Sequence, residues 1–164
     1  MSITGNMQAN CQWTEIKDGV ALGEAQDQVP STVASLIQAF ANGTGSGEID
    51  KAYRIAQTIA SAATYTLTIS GSNLTDEFGN TFGFATLKGI IIINKETGLA
   101  AVLFSIANGG TDEFAALIPV GSGSMPLQSP TGYTVVAATN DDLEFINQGG
   151  GDANIEIYLL GVKS

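Results

Sequence analysis

The hydrophobic and polar positions of this chain fall into short blocks of strand length, most of them alternating with a period of two. The clearest is Thr64 to Ser70, where Tyr65, Leu67 and Ile69 alternate with Thr64, Thr66, Thr68 and Ser70, giving one buried and one wet face. Lys51 to Ala60 repeats the pattern with Tyr53, Ile55, Gln57 and Ile59 on one side. From Thr81 to Asn94, Phe82 and Phe84 alternate before the unbroken run Ile90-Ile91-Ile92-Ile93, which predicts a strand buried on both faces. Four consecutive β-branched residues argue against a helix, where each loses rotamer freedom, and fit a pleated surface.

One stretch fits two structures. In Ser31 to Asn42, Val33, Leu36, Ile37 and Phe40 lie at helical intervals and Ser31 is a suitable cap. The dense turn signal Asn42-Gly43-Thr44-Gly45-Ser46-Gly47 behind it, and the strand-length blocks beyond, favour a strand. Asn94-Lys95-Glu96-Thr97-Gly98 reads as a turn into Leu99 to Ala107, making a hairpin, and Asn108-Gly109-Gly110 as the next reversal. Further strands are predicted at Glu113 to Val120, Met125 to Gln128, Tyr133 to Ala138, Asp142 to Asn147 and Ala153 to Gly161. Gly121-Ser122-Gly123, Pro130-Thr131-Gly132 and Gly149-Gly150-Gly151-Asp152 separate them. Leu143, Phe145 and Asn147 are expected to pair with Ile155, Ile157 and Leu159.

A strand and turn every ten residues or so marks an all-β protein, and about nine strands exceed what one small sheet carries. The expected architecture is a jelly-roll-like antiparallel β-sandwich over residues 31–164. Met1 to Pro30 is polar and aperiodic, with Trp13, Ile16, Val20 and Leu22 as scattered apolar anchors, and reads as an N-terminal arm or edge segment. Those four residues are the candidate partner contacts.

Composition narrows the chemistry. The 164 residues include no His and one Cys, so neither a Ser-His-Asp nor a Cys-His pair can be assembled, and Cys11 has no intrachain disulfide partner. Sixteen acids against six bases give a net charge of -10, a surface that repels phosphate; no nucleic-acid partner is expected. Lys17, Lys51, Arg54, Lys88, Lys95 and Lys163 are dispersed. The start has neither a basic nor an apolar signal region, and apolar runs such as Ile90 to Ile93 are far short of a membrane span, so no membrane association is expected.

Acid groups suggest calcium only weakly. Asp141, Asp142 and Glu144 are close in sequence and Asp152 follows in a loop, but no EF-hand spacing is present, and a solvated turn is the preferred reading. The adjacent pairs Asp76-Glu77 and Asp112-Glu113 would point to opposite faces of a strand. Gly43-Thr44-Gly45 and Gly149-Gly150-Gly151 lack the lysine and helix of a phosphate loop and read as turns. No catalytic residue, cofactor site or metal site is assigned, and the chain is not expected to be an enzyme.

The succession Phe40-Ala41-Asn42-Gly43-Thr44-Gly45, Leu67-Thr68-Ile69-Ser70-Gly71-Ser72-Asn73-Leu74-Thr75-Asp76-Glu77-Phe78-Gly79-Asn80 and Phe84-Ala85-Thr86-Leu87-Lys88-Gly89-Ile90, with the ending Ile155-Glu156-Ile157-Tyr158-Leu159-Leu160-Gly161, resembles small virion structural proteins of tailed bacteriophages. The resemblance spans roughly Val33 to Gly161 and is one of turns and strands, with no catalytic residues to carry over. It implies a β-sandwich acting by contact: a head decoration or cement protein, made in the host cytoplasm and sited on the capsid surface. Its implied partners are the major capsid protein and further copies of itself, as a dimer or trimer. A tail or neck component and a carbohydrate-binding module are the alternatives, and a carboxylate-only hydrolase comes last.

Overall fold

Blocks of β-branched and aromatic residues between glycine-rich turns satisfy their backbone by pairing with one another. The computed structural model describes residues 5–10, 14–17, 25–28, 35–76, 79–96, 101–108, 111–118 and 121–164, with side chains placed at 40–76, 79–96, 101–105, 121–123 and 127–164. No helix occurs among the described residues. The strands before the sandwich are β1 (Gly5–Asn10), β2 (Thr14–Lys17), β3 (Ala25–Gln28), β4 (Ser35–Asn42) and β5 (Glu48–Ile49). Then come β6 (Lys51–Ile59), β7 (Thr64–Thr68), the short β8 (Leu74–Thr75) and β9 (Thr81–Phe82), and β10 (Phe84–Asn94). The last are β11 (Val102–Asn108), β12 (Thr111–Ile118), β13 (Gly123–Thr134), β14 (Asp142–Asn147) and β15 (Ala153–Lys163).

The fold is all-β, built around two four-stranded sheets. The first has the order β13-β10-β15-β6 and the second β12-β11-β14-β7, with every neighbour antiparallel. Their inner faces supply one core: Ile90, Ile92, Ile155, Ile157 and Leu159 from the first, Val102, Phe104, Leu143 and Phe145 from the second, all buried. The Phe104 and Phe145 ring centroids lie 5.2 Å apart, and Tyr65 adds its ring 6.1 Å from Phe145. The alternation read at Lys51 to Ile59 and at Thr64 to Thr68 is present in the burial of β6 and β7. The ambiguous segment is a strand, β4.

Several expected connections differ. The Asn94–Gly98 segment does not close a hairpin, because β10 and β11 lie in different sheets, whereas the reversal expected after Asn108 does join β11 to β12 as an antiparallel pair. Leu143 and Phe145 do not pair with Ile155 to Leu159 but face them across the core, β14 pairing instead with β11 and β7. Both expectations assumed that neighbours in sequence share a ladder, whereas here the chain buries successive apolar faces by crossing from sheet to sheet. The predicted turn at Pro130-Thr131-Gly132 is an irregularity inside one long strand: Leu87 opposes Tyr133 and Gly89 opposes Gln128, so extra residues of β13 loop out between them. The Ile90 to Ile93 run is two-sided in an uneven way. Ile90 and Ile92 are fully buried in the core, while Ile91 and Ile93 on the outer face are half-buried.

What covers Ile91 is the segment before the sandwich. β4 pairs antiparallel with β1, from Gly5 opposite Phe40 to Asn10 opposite Ser35, and parallel with β5. Phe40 and Ile49 are buried together against Ile91 and Leu160 on the outer face of the first sheet. Burying two such side chains is worth roughly 1.5–3 kcal/mol each.

Candidate functional site

The outer face of the first sheet carries the most specific polar construction among the described residues. On β10, Leu87 and Ile90 both point into the core although three residues apart, a spacing that an undistorted strand sends to opposite faces. A bulge reconciles them: Leu87 opposes Gly161 and Gly89 opposes Leu160, leaving Lys88 as the extra residue. Lys88 is turned outward and yet is only 2% exposed. Its Nζ donates to the Gly45 carbonyl at 2.5 Å and the Glu48 carbonyl at 2.6 Å. The Glu48 carboxylate folds back onto its own turn, accepting from the Gly45 N–H at 2.7 Å.

Farther along the same face, Glu156 sits between Ile155 and Ile157, whose side chains enter the core. Arg54 Nη2 donates to its Oε1 at 2.7 Å, Lys95 Nζ to the same oxygen at 2.5 Å, and the Tyr158 hydroxyl to Oε2 at 2.7 Å. The Lys95 ammonium, with Tyr158 and Arg54, holds the Glu156 carboxyl down to about 2 from its ordinary 4.5. The hydrogen bond from Arg54 to Glu156 raises the guanidinium in turn. Arg54 also lies over the Tyr158 ring, 5.7 Å from its centroid. Two half-exposed cations thus share one buried carboxylate in a pre-arranged cluster, of which Arg54 and Tyr158 are residue types that protein interfaces favour.

At the other end of β6, Lys51 and Asp76 form an ion pair of 2.7 Å, and the ammonium lies 4.3 Å from the Phe82 ring centroid. They line a polar cleft of about 460 Å³ with Ser72, Asn80, Thr81 and Lys163. Phe82, the aromatic residue in the described lining of this cleft, is buried and gives no platform for sugar stacking.

Of the anchors suggested by sequence, Trp13, Val20 and Leu22 lie outside the described residues, and Ile16 is placed only by its backbone, opposite Gln26 in the β2–β3 pair. The acids near 141 do not converge. Asp141 is buried and accepts from Ser70 Oγ at 2.5 Å, whereas Asp142, on the outer face of the second sheet, accepts from Thr68 Oγ1 at 2.6 Å. No group of three or more potential ligands is gathered among the described residues. Glu77 and the side chains of Asp112 and Glu113 lie outside them. Sequence reading passed over Lys88 and Glu156, although a single charge set inside an apolar block was the available signal for each.

No protein-family model matches the chain, and no curated protein matches it.

Proposed function

We propose that this chain is a virion structural protein of a tailed bacteriophage, a decoration or cement protein that stabilises the head by contacts with major capsid subunits. The observation that carries this reading is the division of the chain. A two-sheet core is complete from Lys51 onward, while β1 to β5, in the first 50 of 164 residues, lie outside both sheets. A segment of that size beyond its own core is suited to contact with another surface. The strand order supports a jelly roll: along β6, β7, β10, β11, β12, β13, β14 and β15 only β11–β12 stays within one sheet. Repeated contacts of about 1,600 Å² on a shell are individually modest and collectively strong.

The test is co-sedimentation with capsids of the phage that encodes the sequence, purified without this protein. Saturable binding at a fixed ratio to the shell subunit is expected. Deletion of residues 1–29 lowers occupancy and leaves the sandwich folded, and sedimentation velocity reads a dimer or trimer. Absence of capsid binding refutes the reading; attachment to tails favours a tail or neck component, and retention on a glycan array favours a carbohydrate-binding module.

A further inference from the structure

Building on that reading, we propose that Lys88 is a positioning residue for the contact segment: a clamp from the sheet that fixes the 40–50 segment and so sets where, and in which direction, the chain N-terminal to Phe40 leaves the sandwich. Four observations converge on it. The bulge exists at Lys88 and aims its side chain at the 45–48 turn. That turn directs two backbone carbonyls at the sheet, and only a donor can satisfy them there. Gly132 of β13, at φ 81°, makes room for the lysine stem: a Cβ there would lie 2.7 Å from Lys88 Cγ. Two backbone bonds complete the fastening, Gly47 N–H to Pro130 O at 2.9 Å and Asp50 N–H to Gly161 O at 3.2 Å.

An apolar residue would fill the same space without the desolvation cost of an ammonium, so the donors are the reason for a lysine. The clamp acts within one chain, because Ile49 ends β5 and Lys51 begins β6 with only Asp50 between. Phe40 is therefore held at a fixed place on Ile91 and Leu160, and the Ser35–Phe40 half of β4 departs from it as a strand of set register.

Hydrogen exchange tests this directly. The amides of Ala41, Gly43 and Gly47 donate to Gly47 O, Ile49 O and Pro130 O. In Lys88→Met, which keeps the stem and removes the donors, they are expected to exchange about tenfold faster than in the natural protein, while the Phe145 and Ile157 amides keep their rates. Capsid occupancy below saturation is expected to fall several-fold. Unchanged exchange at the three amides overturns the clamp, and faster exchange with unchanged occupancy overturns the positioning role. Should Lys88→Met not fold, the natural protein decides: exchange of the three amides as fast as that of Ser72 in the exposed turn overturns the clamp. If the natural protein does not bind capsids, the cement reading fails and the exchange result still decides the clamp.

Discussion

Asn147 ties three segments together at the end of β14, and its replacement gives a quantity that can be worked out. The residue is 1% exposed. Its Nδ2 donates to Ile59 O at 2.9 Å, Ala60 O at 3.2 Å and Gly151 O at 2.7 Å, and its Oδ1 accepts from the Gly149 N–H at 2.9 Å. The amide thus joins the corner between β6 and β7 to the turn that carries the chain from β14 across to β15. Nδ2 has two hydrogens, so its three contacts count as two bonds, and with the Oδ1 bond Asn147→Ala removes three at about 1 kcal/mol each; the Ile59 carbonyl then lacks its buried donor, whereas the Gly151 and Ala60 carbonyls adjoin exposed residues and regain water. A loss of about 3 kcal/mol follows, which for a chain of this size lowers Tm by roughly 6–12 °C. Urea unfolding is the assay, with the midpoint lowered and the slope unchanged. Asn147→Asp is a sharper probe: it keeps the shape but turns a carboxylate toward carbonyl oxygens. It should be worse than alanine at neutral pH and recover as acid protonates the introduced group, whose folded pKa is raised. A cost below about 1 kcal/mol for Asn147→Ala, or a neutral-pH stability of Asn147→Asp equal to the natural protein, refutes the staple.

Three further outcomes are expected. Glu156 has its folded pKa depressed to about 2, so its contribution is fully present above 4.5 and is lost as pH falls through that interval; Glu156→Gln should flatten the stability profile there. The difference should shrink near about 1 M salt, because Arg54 and Lys95 are 56% and 52% exposed, and urea midpoints against pH at two ionic strengths measure both effects. Gly161→Ala would set a methyl against Thr86 O and within 2.8 Å of Phe84 Cδ1, where β15 meets β10; a loss of about 1–3 kcal/mol by urea unfolding is expected. Ile90→Ala, emptying a core position, should cost about 2–5 kcal/mol, and Ile93→Ala on the half-buried outer face less than half as much in the same assay.

What sequence reading captured followed from how completely each position's surroundings were local. Thr64 to Thr68 and Lys51 to Ile59 lie on edge strands with one wet face, so alternation alone revealed them. The four isoleucines disclosed a strand but not its second cover, because Phe40 and Ile49 reach Ile91 from a distant part of the chain. Sheet membership was illegible for a related reason. Leu143 and Ile157 have the same pattern whether they share a ladder or face one another, and the choice lies in crossings that turn residues do not encode. The small β8–β9 pair was hidden within a polar loop, where Asp76 and Asn80 bond to each other across the turn. Lys88 was missed because the alternation of Phe82, Phe84, Ile90 and Ile92 puts position 88 on the core face, and only the bulge turns it outward to its buried acceptors.

The position of β15 bears on how the molecule comes into being. It lies between β10 and β6, with Gly161 opposite Lys51 and Ile155 opposite Asn94, and it leaves the ribosome after every other strand of the two sheets. Until then β6 and β10 have no shared neighbour, and each presents an open edge of backbone donors and acceptors to whatever is nearby. Joining them closes a loop of about a hundred residues, a slow step in the folding of any sandwich. Synthesis of β15 therefore acts as a check on this sheet: a chain cut short before it cannot close the first sheet, and its exposed edges mark it for aggregation or proteolysis.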